Sequence, residues 1–139
     1  MKMVMEVEQD YQHIYEELKK LPEFDEEAFK TLTDDTDQQV LLKILARFWI
    51  TLKESLDQID EGLKEDSGET IWRACHKVAG SAELLGFKEF GSHSRSLNMS
   101  LKTMTDPHIH TNEISSYLEE GQSLLRLIDS IFPNLKSYL

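Results

Sequence analysis

A histidine keeps a nucleophilic, neutral ring nitrogen at pH 7 because its ordinary pKa is near 6.5. Of the five histidines in this sequence, one lies in a segment equipped to use it: Arg73-Ala74-Cys75-His76-Lys77-Val78-Ala79-Gly80-Ser81-Ala82-Glu83-Leu84-Leu85-Gly86. Wound as a helix at about 100° per residue, this segment centres its apolar stripe near Cys75 and Ala82, which turns His76 and Gly80 away from the core. Arg73, His76, Gly80 and Glu83 follow at steps of three, four and three, so they stack in one outward row. Glycine inside a helix costs about 1 kcal/mol against alanine. One turn after a histidine it leaves the imidazole unobstructed and lets another backbone approach. Imidazole in this setting suits reversible phosphoryl transfer. Arg73, one turn before it, and Lys77, beside it, can offset phosphoryl charge, whereas Glu83 lies two turns away. A lone exposed histidine is most simply a solvated side chain; the glycine and the surrounding pattern are what favour chemistry.

Other candidates carry less. His108 and His110 flank Ile109 after a proline, but two loop imidazoles without a third nearby ligand are ordinarily solvated, and no metal site is expected. Glu-x-x-His, which di-metal helical bundles use, is absent. Cys75 points about 100° away from His76, which argues against a Cys/His nucleophile pair. There is no GxxxxGK loop to hold a nucleotide. His93 is expected to be packed or solvated, and Phe48, Trp49, Trp72 and Phe90 to be core or near-core.

The elements that must position His76 read as helices almost throughout. Val4, Val7, Tyr11, Ile14, Leu18 and Leu21 form the seam of an amphipathic helix ending at Pro22. A short helix, Glu26 to Leu32, follows. Thr36 and Gln39 have the spacing of a capping box, after which Leu41, Ile44, Leu45, Phe48, Leu52, Leu56, Ile59 and Leu63 mark the longest helix. Asp66-Ser67-Gly68 interrupts and caps. Ile71, Cys75, Val78, Ala82 and Leu85 then form the stripe of the His76 helix, closed by Gly86. Phe90, Ser94, Leu97, Leu101 and Met104 mark another, stopped at Asp106-Pro107. Ile114, Leu118, Gly121, Leu125, Ile128 and Phe132 mark the last, closed by Pro133. No alternating run suggests a strand. The expected fold is all-α: an antiparallel up-and-down four-helix bundle in residues 22–139, with an additional N-terminal amphipathic helix in residues 1–21. That helix is expected to cover its own bundle; pairing two chains is the alternative, so a monomer is expected over a homodimer.

Length and composition narrow the classes of function. The chain has 139 residues, 40% hydrophobic and 29% charged, which suits one ordinary globular domain. Asp and Glu outnumber Lys and Arg by 26 to 15, for a net charge of -11, with no basic run for nucleic acid. Val40 to Leu52, the most apolar stretch, is interrupted by Lys43 and Arg47 and is shorter than the roughly 20 residues a bilayer span needs. The N-terminus lacks a signal-like apolar block and Cys75 is the single cysteine, so a cytoplasmic location is expected.

The stretch His76-Lys-Val-Ala-Gly80-Ser81-Ala82-Glu-Leu-Leu-Gly86-Phe87 resembles the signature of histidine-containing phosphotransfer (HPt) domains. The shared features are a histidine, an apolar residue two later, glycine four later, two small residues, then a hydrophobe and a helix-closing glycine. Helix order and lengths extend the likeness from about Phe24 to Phe132. The resemblance implies that His76 is the phosphoacceptor, that Gly80 opens its surroundings and that Ser81 fills the small or hydroxyl position after it, with Arg73, Lys77 and Glu83 bordering the site. It further implies a phosphoryl carrier without kinase activity, serving response-regulator receiver domains and a hybrid sensor kinase. The receiver brings the aspartyl phosphate and the Mg2+, and this chain needs no cofactor. One position departs: three residues after the histidine, where the family commonly has lysine, stands Ala79, and compensation by Arg73 or Lys77 is expected. A module that binds a receiver or kinase without carrying phosphate, and a dimeric helical adaptor, are the competing readings.

Overall fold

Residues 2–139 are described by the computed structural model, and all the regular structure among them is helical. The helices are α1 (Val4–Leu18), α2 (Glu26–Asp35), α3 (Gln38–Lys64), α4 (Gly68–Leu84), α5 (Lys88–Thr103) and α6 (Thr111–Ile131). Short 3-10 turns at Pro107–His110 and Leu135–Tyr138 precede and follow α6. Helices α3 to α6 form a closed ring in which α3 packs on α4 and α6, and α5 on the same two. All neighbours run antiparallel. At the α3–α4 turn Gly62 lies against Ile71, while Phe48 stacks on Phe87 at the far end. Asn98 reaches the Trp72 carbonyl and Gly91 lies against Glu83 between α4 and α5. The expected all-α four-helix bundle is what the chain forms.

Helix boundaries follow from local chemistry, with some departures from the sequence reading. Asp37, not Thr36, caps α3: its carboxylate accepts from the Val40 amide at 2.8 Å. Thr36 instead ends α2, its hydroxyl donating to the Leu32 carbonyl. The capping-box spacing was there, but the stronger acceptor one residue on took the helix end. Helix α2 consequently runs to Asp35 rather than Leu32, and α1 stops at Leu18 rather than Leu21. Ser67 caps α4 as expected, accepting from the Thr70 amide. Of the stripe residues, Val4 and Met104 are exposed, and in α6 Tyr117 is buried where Leu118 is only half-buried.

Helix α1 spends its apolar seam within the chain. Val7, Tyr11, Ile14 and Leu18 are buried in the same hydrophobic cluster as the bundle. Tyr11 and Tyr15 stack on Phe29 of α2, the Tyr11 hydroxyl meets Thr33, and Tyr15 donates to Glu26. The start of α2 is in turn fixed to the end of α4. Gly86 has φ +98°, a conformation that side chains other than glycine rarely adopt, and its carbonyl accepts from the Asp25 amide at 2.8 Å. A Cβ at Gly86 would lie 2.7 Å from both the Asp25 carbonyl oxygen and the Phe24 ring. This close approach holds α2 alongside the C-terminal half of the His76 helix.

Candidate functional site

Cys75 and Val78 of α4 are fully buried, and between them His76 and Lys77 emerge into solvent. His13 bonds the Ile131 carbonyl, His93 Glu120, His108 Asp66 and His110 the Met104 carbonyl, all within 2.6–2.8 Å. Among the described residues, His76 is the histidine whose ring has no hydrogen-bond partner, so its nitrogens are open to a reactant. One turn on, a Cβ built at Gly80 meets nothing within 4 Å. At each of the other five glycines it would meet an atom at 2.7 Å or closer. Packing therefore explains those five glycines and leaves Gly80 without an internal reason, at a place where a side chain would stand beside the imidazole.

The rest of the anticipated row divides. Arg73 is exposed, but its Nε and Nη2 donate to Glu69 Oε1 at 2.9 and 2.7 Å and its guanidinium lies over the Trp72 ring. Lys77 is exposed and in no ion pair among the described residues. Ser81 is half-buried. Glu83 turns toward α5, where Arg95 donates to both its oxygens at 2.5 and 3.0 Å. The Arg95 hydrogen bonds hold the Glu83 carboxyl below its ordinary pKa and raise that of Arg95. Of the two cations expected to compensate for Ala79, Arg73 is committed to Glu69 and Lys77 is uncommitted.

Ala79 itself is buried, 2% exposed, where Gly91 of α5 packs against α4. A Cβ on Gly91 would lie 3.2 Å from the Ala79 carbonyl oxygen and 2.5 Å from Glu83 Cγ. A long cationic side chain at position 79 would have to thread between the two helices, which gives the alanine a packing reason. Two cations of α5 that nothing in the sequence singles out lie against α4. Arg95 lies against Glu83, and Lys102 Nζ lies 4.7 Å from the centroid of Trp72, one turn before His76. Their spacing on α5 marks them as neighbours on one face; that this face adjoins α4 depends on the helix-to-helix register, which no periodicity within α5 reports.

Cys75 is no nucleophile here. Its thiol is fully buried and burial pushes it up to about 12, so the reactive thiolate is scarce. It belongs to a buried group with Tyr117 and Ser94, whose hydroxyls lie 2.6 Å apart. His93, on the far side of α5, is held by Glu120 of α6. Among the described residues no three His, Cys, Asp or Glu side chains are grouped to hold a metal, and no helix is long and apolar enough to cross a membrane.

A model of the Hpt domain family matches residues 43–129, more than half of the sequence, from the first turns of α3 to the last of α6. The chain belongs to the Hpt domain family. Neither a curated protein nor a solved structure matches it significantly. Hpt domains are histidine phosphotransfer modules of phosphorelays and interact with receiver and kinase domains of two-component systems; this chain is such a module. Helices α1 and α2 lie outside the matched residues.

Proposed function

We propose that this Hpt domain is a phosphorelay intermediate, carrying a phosphoryl group on His76 between the aspartates of two receiver domains. The observation that supports this most directly is the pairing of an exposed, unpartnered imidazole with a glycine that packing does not require. In the forward step a receiver docks over α4 with its aspartyl phosphate in line with a neutral His76 ring nitrogen. The nitrogen lone pair forms the N–P bond as the acyl P–O bond breaks, and that electron pair stays on the aspartate carboxylate. N–P bond formation leaves the ring cationic, and loss of the proton on the other ring nitrogen to solvent restores its neutrality. Transfer to the next receiver reverses these changes.

Mg2+ belongs to the receiver, so the chain itself needs no cofactor and no kinase activity. Its contributions are position and charge. Helix α4 fixes the imidazole on a rigid element, Gly80 admits the partner backbone, and Lys77 supplies a free ammonium beside the incoming phosphoryl oxygens. Arg73 is recruited only by giving up Glu69. The exchange takes place in the cytoplasm, with the chain acting as a monomer that also meets a hybrid sensor kinase.

The test is to mix the protein with phosphorylated receiver domains and follow label of phosphohistidine chemistry, acid-labile and base-stable. Wild type is expected to take up label and His76→Ala to take up none. Equal labelling of His76→Ala would overturn the assignment. Tight receiver binding with no phosphohistidine from any donor would favour a module that binds without carrying phosphate, a reading kept open by the buried Ala79.

A further inference from the structure

Beside Gly80 a shallow groove of about 580 Å3 runs between α4 and α2. Gly80 and Leu84 line it on the α4 side, and Glu27, Thr31 and Asp35 on the α2 side, with Asp25 at its end. Leu84 is a leucine left 60% exposed, one turn after the glycine that faces open space. The groove's single cation, Arg95, is neutralised by Glu83. Asp25 is spent as the cap of α2, accepting from the Ala28 amide, but Glu27 and Asp35 are in no ion pair among the described residues, so the α2 wall presents uncompensated negative charge next to an apolar spot. Helix α2 is also the wall that lies outside the family match, and the Gly86–Asp25 bond is what holds it there.

We infer that the α2–α4 groove is the part of the docking surface that selects the partner, and that it fits a receiver domain whose docking face carries an apolar patch flanked by lysine or arginine. This rests on the phosphorelay reading for the partner's class but not on phosphate transfer itself. The apolar contact comes from Leu84 and the bare backbone at Gly80, while the acidic wall sorts receivers by charge. Opposite charges across a rim mainly raise the association rate and penalise like-charged competitors. Because both sides of this rim are solvated, selection weakens over the salt range in which the screening length falls below about 10 Å.

The experiment measures binding of the full chain to purified receiver domains of the source organism, at low and high salt, for wild type, Glu27→Lys/Asp35→Lys, Glu27→Gln/Asp35→Asn and Leu84→Ala. Circular dichroism checks that each variant folds. Receivers with basic docking faces are expected to bind wild type best. Charge reversal should weaken them about tenfold or more at low salt, neutralisation by less, and both differences should shrink at high salt. Affinities that stay within about twofold of wild type for every receiver in both charge variants would overturn the inference. A parallel reaction of wild type with phosphoramidate, a small donor that needs no docking, keeps the two ideas separate. If His76 takes no label while the charge variants lose binding, the carrier reading fails and the groove stands. If His76 is labelled while the variants bind normally, the groove fails and the carrier reading stands.

Discussion

Two neighbouring residues, His76 and Gly80, carry the functional reading, and the glycine holds its place at a cost in stability. Gly80 costs helix propensity and its missing Cβ clashes with nothing. Gly80→Ala should therefore raise stability by about 0.5–1 kcal/mol, seen as a melting temperature about 2–4 °C higher. Gly80→Trp, which walls off the imidazole, should fold as well yet transfer phosphoryl at least about tenfold more slowly than Gly80→Ala. A destabilised Gly80→Ala would mean that the glycine serves the fold after all. Both residues could be picked out from spacing alone, because outward orientation on one helix depends only on the 3.6-residue turn. The states of Arg73 and Glu83 could not: i to i+4 spacing permits the Glu69–Arg73 pair without requiring it, and Glu83's partner lies on another helix.

At the scale of elements, close helix contacts are set by small residues at particular heights, and each makes a prediction. A Cβ at Gly68, at the start of α4, would fall 1.9 Å from the Thr105 carbonyl oxygen. Backbone cannot rotate out of the way as a side chain can. Gly68→Ala should thus lower stability by about 1–3 kcal/mol in urea titration, the reverse of the same change at Gly80. The α4–α5 seam also carries the Glu83–Arg95 pair. Glu83's pKa is depressed from 4.5 in the folded state, so the native protein binds fewer protons there than the unfolded chain. The pair's contribution is therefore complete above the ordinary carboxylate pKa and is lost as pH falls through the depressed value. Melting curves recorded from neutral pH down to below 4.5 should fall more steeply for wild type than for Glu83→Gln. Parallel curves would show that solvent screening leaves the pair without net effect.

For the whole molecule, the decisive fact is where the N-terminal seam is buried. Ile14 and Leu18 are each 1% exposed and share one apolar cluster with the bundle. Leu18→Ala should cost about 2–4 kcal/mol, which denaturant midpoints would register. With that seam covered from within, the 139-residue chain should sediment as a monomer across a wide concentration range. A concentration-dependent mass would revive the dimeric adaptor. The charge distribution belongs to this scale too. A net charge of -11 says little until α2 is seen to bring Glu27 and Asp35 to the edge of the same groove as Gly80 and Leu84.

What the amino-acid order determined by itself was everything that repeats along a single helix. That covers the five main apolar stripes, the all-α class, the cap at Ser67, the stop at Gly86 and the outward placement of His76 with Gly80. Each follows from local geometry, in which a residue's direction is settled by its neighbours within a turn or two. What only the tertiary structure decided was every contact between helices. Examples are Arg95 reaching Glu83, Lys102 lying over Trp72, Ala79 enclosed against Gly91, and α2 drawn beside α4 by the Gly86 carbonyl. Such pairs depend on the heights at which packed helices settle against one another, and those heights come from the joint fit of many side chains, which no one segment encodes.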